Sequence, residues 1–266
     1  MKRNLTCLAV TLILSLGVSA HANITGQWDF NSGDTSATVG TALGDFGGTT
    51  LAATTFTTAT IGGSSANVMS FPATTPTQGY IMTHGIAPNG GGLFVNQYTL
   101  IMDIMFPSTS SGVYRGLWQT SPANANDGDL FVNPGNGIGI SSSYQGAILA
   151  DTWHRVAFVF DLTLAANRLN KYIDGALVGS QNLSAGVDGR WALDSTALIF
   201  TDDDGETAAG FVNSIQIHDV ALSANDIGLL GGATAAGIPV VPEPTSGLLL
   251  MAGMALLGAR KFGWRK

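Results

Sequence analysis

Apolar and polar residues alternate with a period of two through several stretches of the chain. From Tyr98 to Phe106, Leu100, Met102, Ile104 and Phe106 fall on one face and Asp103 on the other, and Pro107 closes the run. From His154 to Leu162, Val156, Phe158 and Phe160 share one side against Arg155, Ala157, Val159 and Asp161, the pattern of a half-buried sheet. Leu169 to Ile173 and Ala176 to Val178 flank Asp174-Gly175, the pair best suited to the positive φ angles of a two-residue turn, and predict a tight antiparallel hairpin. One helix is expected after Leu222. Ser223 caps it, Asp226 sits three residues on, Ile227, Leu229 and Leu230 supply its apolar positions, and Gly231-Gly232 stops it. Periodicity alone reads as a β-sandwich.

The two ends break this alternation. Lys2 and Arg3 precede an apolar stretch from Leu5 to Val18, and Ala20-His21-Ala22 forms a small-residue cleavage pattern, so residues 1–22 read as a helical secretory signal peptide cut after Ala22. Cys7 stands at the start of the apolar stretch rather than at its end, where a lipidated cysteine belongs. At the other end Pro242, Glu243 and Pro244 precede an apolar segment over 245–259, which Arg260, Lys261, Arg265 and Lys266 follow. A basic tip resists translocation, so the body faces outward while the apolar helix lodges in the bilayer. That helix would span roughly 22 Å against a hydrocarbon core of about 30 Å. It is short for a permanent anchor and suits a transient stop that a protease removes; the plain anchor is the alternative. The order of tripeptide, apolar run and basic tip resembles the PEP-CTERM sorting signal, which implies an exosortase-type processing enzyme as partner and a cell-surface or matrix destination. Residues 233–241, small and apolar with two prolines near the end, read as a linker.

Between the signals, residues 23–241 suit one all-β domain. Charged residues make up 11% of the chain, against roughly 25% in ordinary globular proteins, and Gly and Thr are abundant, which favours strands and turns over long helices. The exported body contains no cysteine, so its fold is held by its core without disulfides. Arg115, Arg155, Arg168, Lys171 and Arg190 face sixteen aspartates and Glu206, a net charge of −12. Such a balance repels nucleic acid and anionic lipid, leaving the C-terminal segment as the only membrane contact, and is compatible with divalent cations.

Trp153-His154-Arg155-Val156-Ala157, with Leu169 to Val178 after it, resembles the central hairpin of LamG-like domains. Gly210 to Ser223 resembles the family's closing strand, with Asn213 where the family has Asp and His218 where it has Tyr. Trp28-Asp29-Phe30-Asn31, and Val68 to Phe71 with Gly79-Tyr80-Ile81, occupy the places where the family opens its two sheets. The resemblance implies a concanavalin A-like jelly roll over residues 23–232. It also implies a recognition or adhesion module with a carbohydrate or a cell-surface protein as ligand. The alternatives are a carbohydrate-active enzyme, hydrolase or lyase, on the same fold, and a structural matrix component with no specific ligand.

The densest acidic cluster is Asp202-Asp203-Asp204-Gly205-Glu206, expected in a turn after a strand over 197–201. Asp202, Asp204 and Glu206 are candidate calcium ligands, because adjacent carboxylates repel one another until a hard cation relieves them; a solvated acidic loop is the alternative. A second metal position would join Asn213 to backbone oxygens around Asp29. Retaining glycoside hydrolysis needs two carboxyl groups about 5 Å apart. Asp202-x-Asp204-x-Glu206 keeps the spacing of laminarinase-type enzymes but lacks their first Glu and sits on a turn, so no catalytic residue is assigned. His84, His154 and His218 are isolated in sequence, and there is no Gly-x-Ser-x-Gly elbow or phosphate loop. Trp118, Trp153 and Trp191 could stack on sugars, but core packing is the expectation.

Overall fold

In the computed structural model, which describes residues 22–123 and 127–240, the alternating stretches pair into two antiparallel sheets. The signal peptide through His21 and the sorting signal over 242–266 lie outside the described residues. The first sheet is built from β1 (Ile24–Trp28), β3 (Thr55–Ile61), β4 (Ser64–Phe71), β6 (Gln97–Met105), β11 (His154–Asp161), β12 (Leu169–Ile173), β13 (Ala176–Gln181) and β15 (Gly210–His218). Its order is β13-β12-β11-β6-β15-β4-β3, with β1 beside β15 as well. The second sheet has β2 (Gly44–Phe46), β5 (Gly79–Thr83), β7 (Arg115–Gln119), β8 (Asp129–Val132), β9 (Ile138–Ile140), β10 (Ser143–Gln145) and β14 (Thr196–Ile199), ordered β10-β9-β8-β7-β14-β5-β2.

The faces follow the sequence pattern. Leu100, Met102 and Ile104 of β6 meet Val156, Phe158 and Phe160 of β11 in the main core between the sheets, where Tyr98 stacks on Phe160 at 4.3 Å. The Asp174-Gly175 turn has φ of 52° and 82°, as the hairpin reading requires. Trp118 and Trp191 fill the core, whereas Trp153 is half-buried against a small outer cluster of Ile61, Ala66 and Val68.

The outer face of the first sheet is also apolar in part, and it is covered. Ile101, Ala157, Val159 and Tyr172 pack under α2 (Ala224–Leu230), through Ile227 and Leu230, and under Ile238. Ser223 accepts from the Asp226 amide and Asp226 accepts from the Ser223 amide, so the capping box read from the sequence is present. A one-turn helix, α1 (Thr50–Ala53), which the sequence reading did not include, links β2 to β3. Of the linker read over residues 233–241, Ile238 packs on the first sheet and is only 2% exposed.

On one side the sandwich is stitched shut between β10 and β13. Lys171, the body's single lysine, is fully buried and donates to Ser143 O at 2.6 Å and to Gln181 Oε1 at 3.3 Å, and Gln181 donates in turn to Ile140 O at 3.1 Å. Burial holds its pKa down at about 8.

Candidate binding face on the second sheet

Because Leu130 and Val132 of β8 enter the main core, Asp129 and Phe131 point to the opposite side of the second sheet. The register places Gly116, Phe131, Gly139 and Tyr144 in one row across β7 to β10, and pairs Asp129 with Gln119. Tyr114, just before β7, meets Phe131 edge-on at 5.8 Å and Tyr144 at 6.0 Å. Phe131 is buried beneath this group, while Tyr114 and Tyr144 remain half-exposed. Among the described residues no helix packs on this part of the sheet.

The acidic loop lies along the same row. The Gly116 amide donates to Glu206 O at 2.8 Å, and a Cβ at Gly116 would stand 2.4 Å from Thr201 O, so glycine is what lets the loop rest on β7. Asp202 is only 3% exposed, and its Oδ2 accepts from the Asp204 and Glu206 amides at 2.9 and 3.0 Å. Asp203 and Asp204 are exposed and Glu206 is half-buried. Tyr114, Pro134, Glu206 and Thr207 line an open cleft of about 360 Å³. Among the described residues no group of three His, Cys, Asp or Glu side chains is placed to hold one metal ion. Of Asp202, Asp204 and Glu206, the Asp202 carboxylate organises the turn through two backbone amides. At the second metal position, Asp29 accepts from Ser214 and Thr38 at 2.9 and 2.7 Å, and Asn213 donates to Asn67 O at 3.0 Å.

The structure adds two carboxylates that sequence reasoning did not single out. Asp127 and Asp129 flank Gly128 at the entrance to β8. Asp127 is buried, and its Oδ2 and Oδ1 of Asp129 have no hydrogen-bond partner. Burial, then the charges of Asp127, Asp202 and Asp203, push the Asp129 carboxyl up to about 7, against a downward pull from Arg190. Burial also raises Asp202 and Glu206. Arg190 donates to Asp127 O, and both line a second open cleft of about 430 Å³ with Thr120, Asp188 and Asp194. The available signal was the Asp127-Gly128-Asp129 spacing just ahead of an alternating run.

Each of the three described histidines has a partner within the chain. His84 bonds to Asp194 O and accepts from the Ile86 amide, His154 pairs with Asp174 at 2.7 Å, and His218 bonds to Gln216 at 2.8 Å.

The sequence profile of the concanavalin A-like lectin/glucanases superfamily matches residues 94–228, which include β6 to β15. The chain belongs to that superfamily. The PEP-CTERM protein-sorting motif matches residues 240–266, marking the superfamily member as an exported surface protein handled by an exosortase-type enzyme. No curated protein matches the chain. Among solved structures it is similar to domain 4 of AbnA, a GH43 extracellular arabinanase from Geobacillus stearothermophilus in complex with arabinotriose. The identity is 17% and the TM-score 0.51, over 80% of this chain and 100% of that one. It is also similar to the botulinum neurotoxin serotype D binding domain, at 15% identity and a TM-score of 0.51, over 77% of this chain and 50% of that one. The serotype D ligand binding domain in complex with N-acetylneuraminic acid matches at 16% identity and a TM-score of 0.50, over 77% and 50%. The chain thus spans about half the length of the neurotoxin domains, and at these identities the likeness is one of fold. Among the described residues no helix is long and apolar enough to cross a membrane.

Proposed function

We propose that the outer face of β7 to β10 is a carbohydrate-recognition surface, displayed outside the cell by a domain that enters the export route behind a leader cut after Ala22 and loses its sorting signal at the surface. The observation that carries this reading is the pair of half-exposed rings Tyr114 and Tyr144 over Phe131, with Tyr114 and the half-buried Glu206 lining one open cleft. Aromatic faces stack on the C–H faces of sugar rings, and carboxylates accept hydrogen bonds from ring hydroxyls. The acidic rim disfavours anionic glycans and admits neutral ones. Sugar binding by the arabinanase domain and by the neurotoxin domain accords with such use of the fold. A glycan array probed with the purified exported protein tests it. Saturable binding to neutral glycans that Tyr114→Ala and Tyr144→Ala abolish is the expected result. A flat profile at high protein concentration sinks it and leaves a cell-surface protein ligand or a purely structural role.

One observation favours a second reading, glycoside hydrolysis. A carboxyl of raised pKa beside a second carboxyl is the pairing such chemistry uses, and Asp129, pushed up to about 7 by burial and by the charges of Asp127 and Asp202, stands in such a group. Release of reducing ends from oligosaccharides, abolished by Asp129→Asn, would establish it; binding without turnover would retire it.

A further inference from the structure

The first sheet ends on a strand with an open side. β3 pairs with β4 and with no strand beyond it. The two strands join at Gly62-Gly63, whose φ of 57° and 84° make a two-residue hairpin turn, so Ile61 and Ser64 exchange hydrogen bonds across it. Counting back from that pair, Ala59, Thr57 and Thr55 also bond to β4, while the amides and carbonyls of Phe56, Thr58 and Thr60 point away from the sheet. Among the described residues no backbone group outside the hairpin bonds to them, and Thr55, Thr57, Thr58 and Thr60 are exposed. The strand reads Thr-Phe-Thr-Thr-Ala-Thr-Ile, in continuous register with β4. It is rich in β-branched residues and carries none of the devices that guard an edge: no charge, no proline, no bulge. The margins of the second sheet differ. β2 has three residues, one of them Asp45, and Lys171 occupies the Ser143 carbonyl on β10.

Charge points to the same strand. The body's net charge is −12, yet no Asp, Glu, Lys or Arg occurs from Phe46 to Met102, a run that includes α1 and β3 to β5. Two copies repel through their acidic surfaces, and along β3 they meet without setting like charges against each other. We propose that β3 is a homodimer contact: two copies pair their β3 strands antiparallel about a two-fold axis at Thr58, and one sheet runs through both. In this register Thr58 exchanges both backbone bonds with its own counterpart, and Phe56 lies opposite Thr60 of the second copy. Thr57 then faces Ala59 and Thr55 faces Ile61, so every cross-strand pair is neutral. A shift by two residues would leave one outward residue of each copy opposite chain outside the strand. A two-fold contact uses the open edge of both copies and stops at two. Because β10 lies against the far margin of the first sheet, the β7 to β10 face stays uncovered in both copies, and dimer formation and glycan binding are separate readouts.

Sedimentation velocity on the exported protein, from low micromolar to about 1 mM, tests the pairing. A mass that doubles with concentration is expected, and the dimer fraction should rise as salt goes from about 20 to 300 mM, because salt screens the repulsion between bodies and the contact itself has no charge to lose. A monomer at every concentration overturns the proposal, and so does growth past the dimer. Thr58→Lys and Thr58→Asp each set like charges face to face at the axis, and each alone should weaken the dimer at least about tenfold. Mixing the two variants in equal amounts should restore a dimer with one chain of each. Undiminished dimers in either variant alone, or no gain on mixing, overturns the register and the proposal with it. Thr58→Pro deletes an amide that the hairpin does not use and should give a monomer with an unchanged melting curve; a folded Thr58→Pro protein that still dimerises places the contact elsewhere and overturns the proposal.

Discussion

The two sheets bury their inner faces in the same way, and their outer faces part company. Under α2 and Ile238, the first sheet encloses Asp103, Arg155, Gln216 and Ser214, and each finds a partner within the chain. On the second sheet, Asp127 and Asp129 carry buried oxygens with no partner, and two tyrosines stay half-exposed. Buried polar atoms without a partner also occur on the first sheet, at Asn213 Oδ1 and His218 Nδ1, so the faces differ in cover: one is closed by α2 and Ile238, the other leaves aromatic rings and carboxylates open.

The comparison breaks most visibly at the buried ion pair of Arg155 and Asp103, closed at 2.7 Å. Arg155→Met leaves the Asp103 carboxylate buried and uncompensated, an expected loss of about 3–5 kcal/mol and on the order of 10 °C in Tm, read by thermal and urea unfolding. A loss below about 1 kcal/mol would show that the covered face is no more structural than the open one. The pH dependence of one group on each sheet, His218 and Asp129, runs in opposite directions. On the first sheet, burial lowers the His218 pKa to about 4, below its unfolded value of 6.5. Its contribution is complete above 6.5 and is lost as pH falls from 6.5 towards 4, a loss of order 3 kcal/mol that His218→Gln should flatten.

On the second sheet Asp129 runs the other way. Its folded pKa of about 7 lies above the unfolded 3.8, so its contribution is complete below 3.8 and is lost as pH rises through 7. Asp129→Asn should therefore stabilise the protein by about 1–2 kcal/mol at pH 8, after allowance for partial exposure, and by nothing at pH 3.5. Tyr114→Ala and Tyr144→Ala should weaken glycan binding at least about tenfold while changing stability by less than about 1 kcal/mol, measured by titration calorimetry and melting. Calcium should do least. With the Asp202 carboxylate engaged by two amides, millimolar Ca²⁺ should screen the Asp202–Glu206 loop and raise Tm by about 1 °C at most, whereas a rise of several degrees would establish the calcium site.

The sandwich, the Asp174-Gly175 hairpin and the Ser223 cap were legible because each is a local pattern: alternation, a turn dipeptide, a capping box. The cover on the first sheet left only a partial trace. Ala157 and Val159 on the supposed outer side of β11 announce that something packs there, but not that residues 230–238 do it. Asp103 and Arg155 read as outward polar residues, because nothing in either strand shows that the face they share is closed. The candidate site was illegible for a related reason. Asp129 and Asp202 come within electrostatic reach only through the pairing of β8, β7 and β14, and the acidic run offers Asp202, Asp204 and Glu206 without distinction. In the fold its buried member is Asp202, whose carboxylate organises the turn.

The seam between β10 and β13 bears on life in a crowd. A sheet margin with open carbonyls is a template on which a neighbouring chain can add a strand, a standing hazard for any domain displayed densely at a surface. Here Lys171 and Gln181 reach across from the first sheet and occupy the carbonyls of Ser143 and Ile140. The body's single lysine thereby removes an acceptor that a strand added along that margin would need.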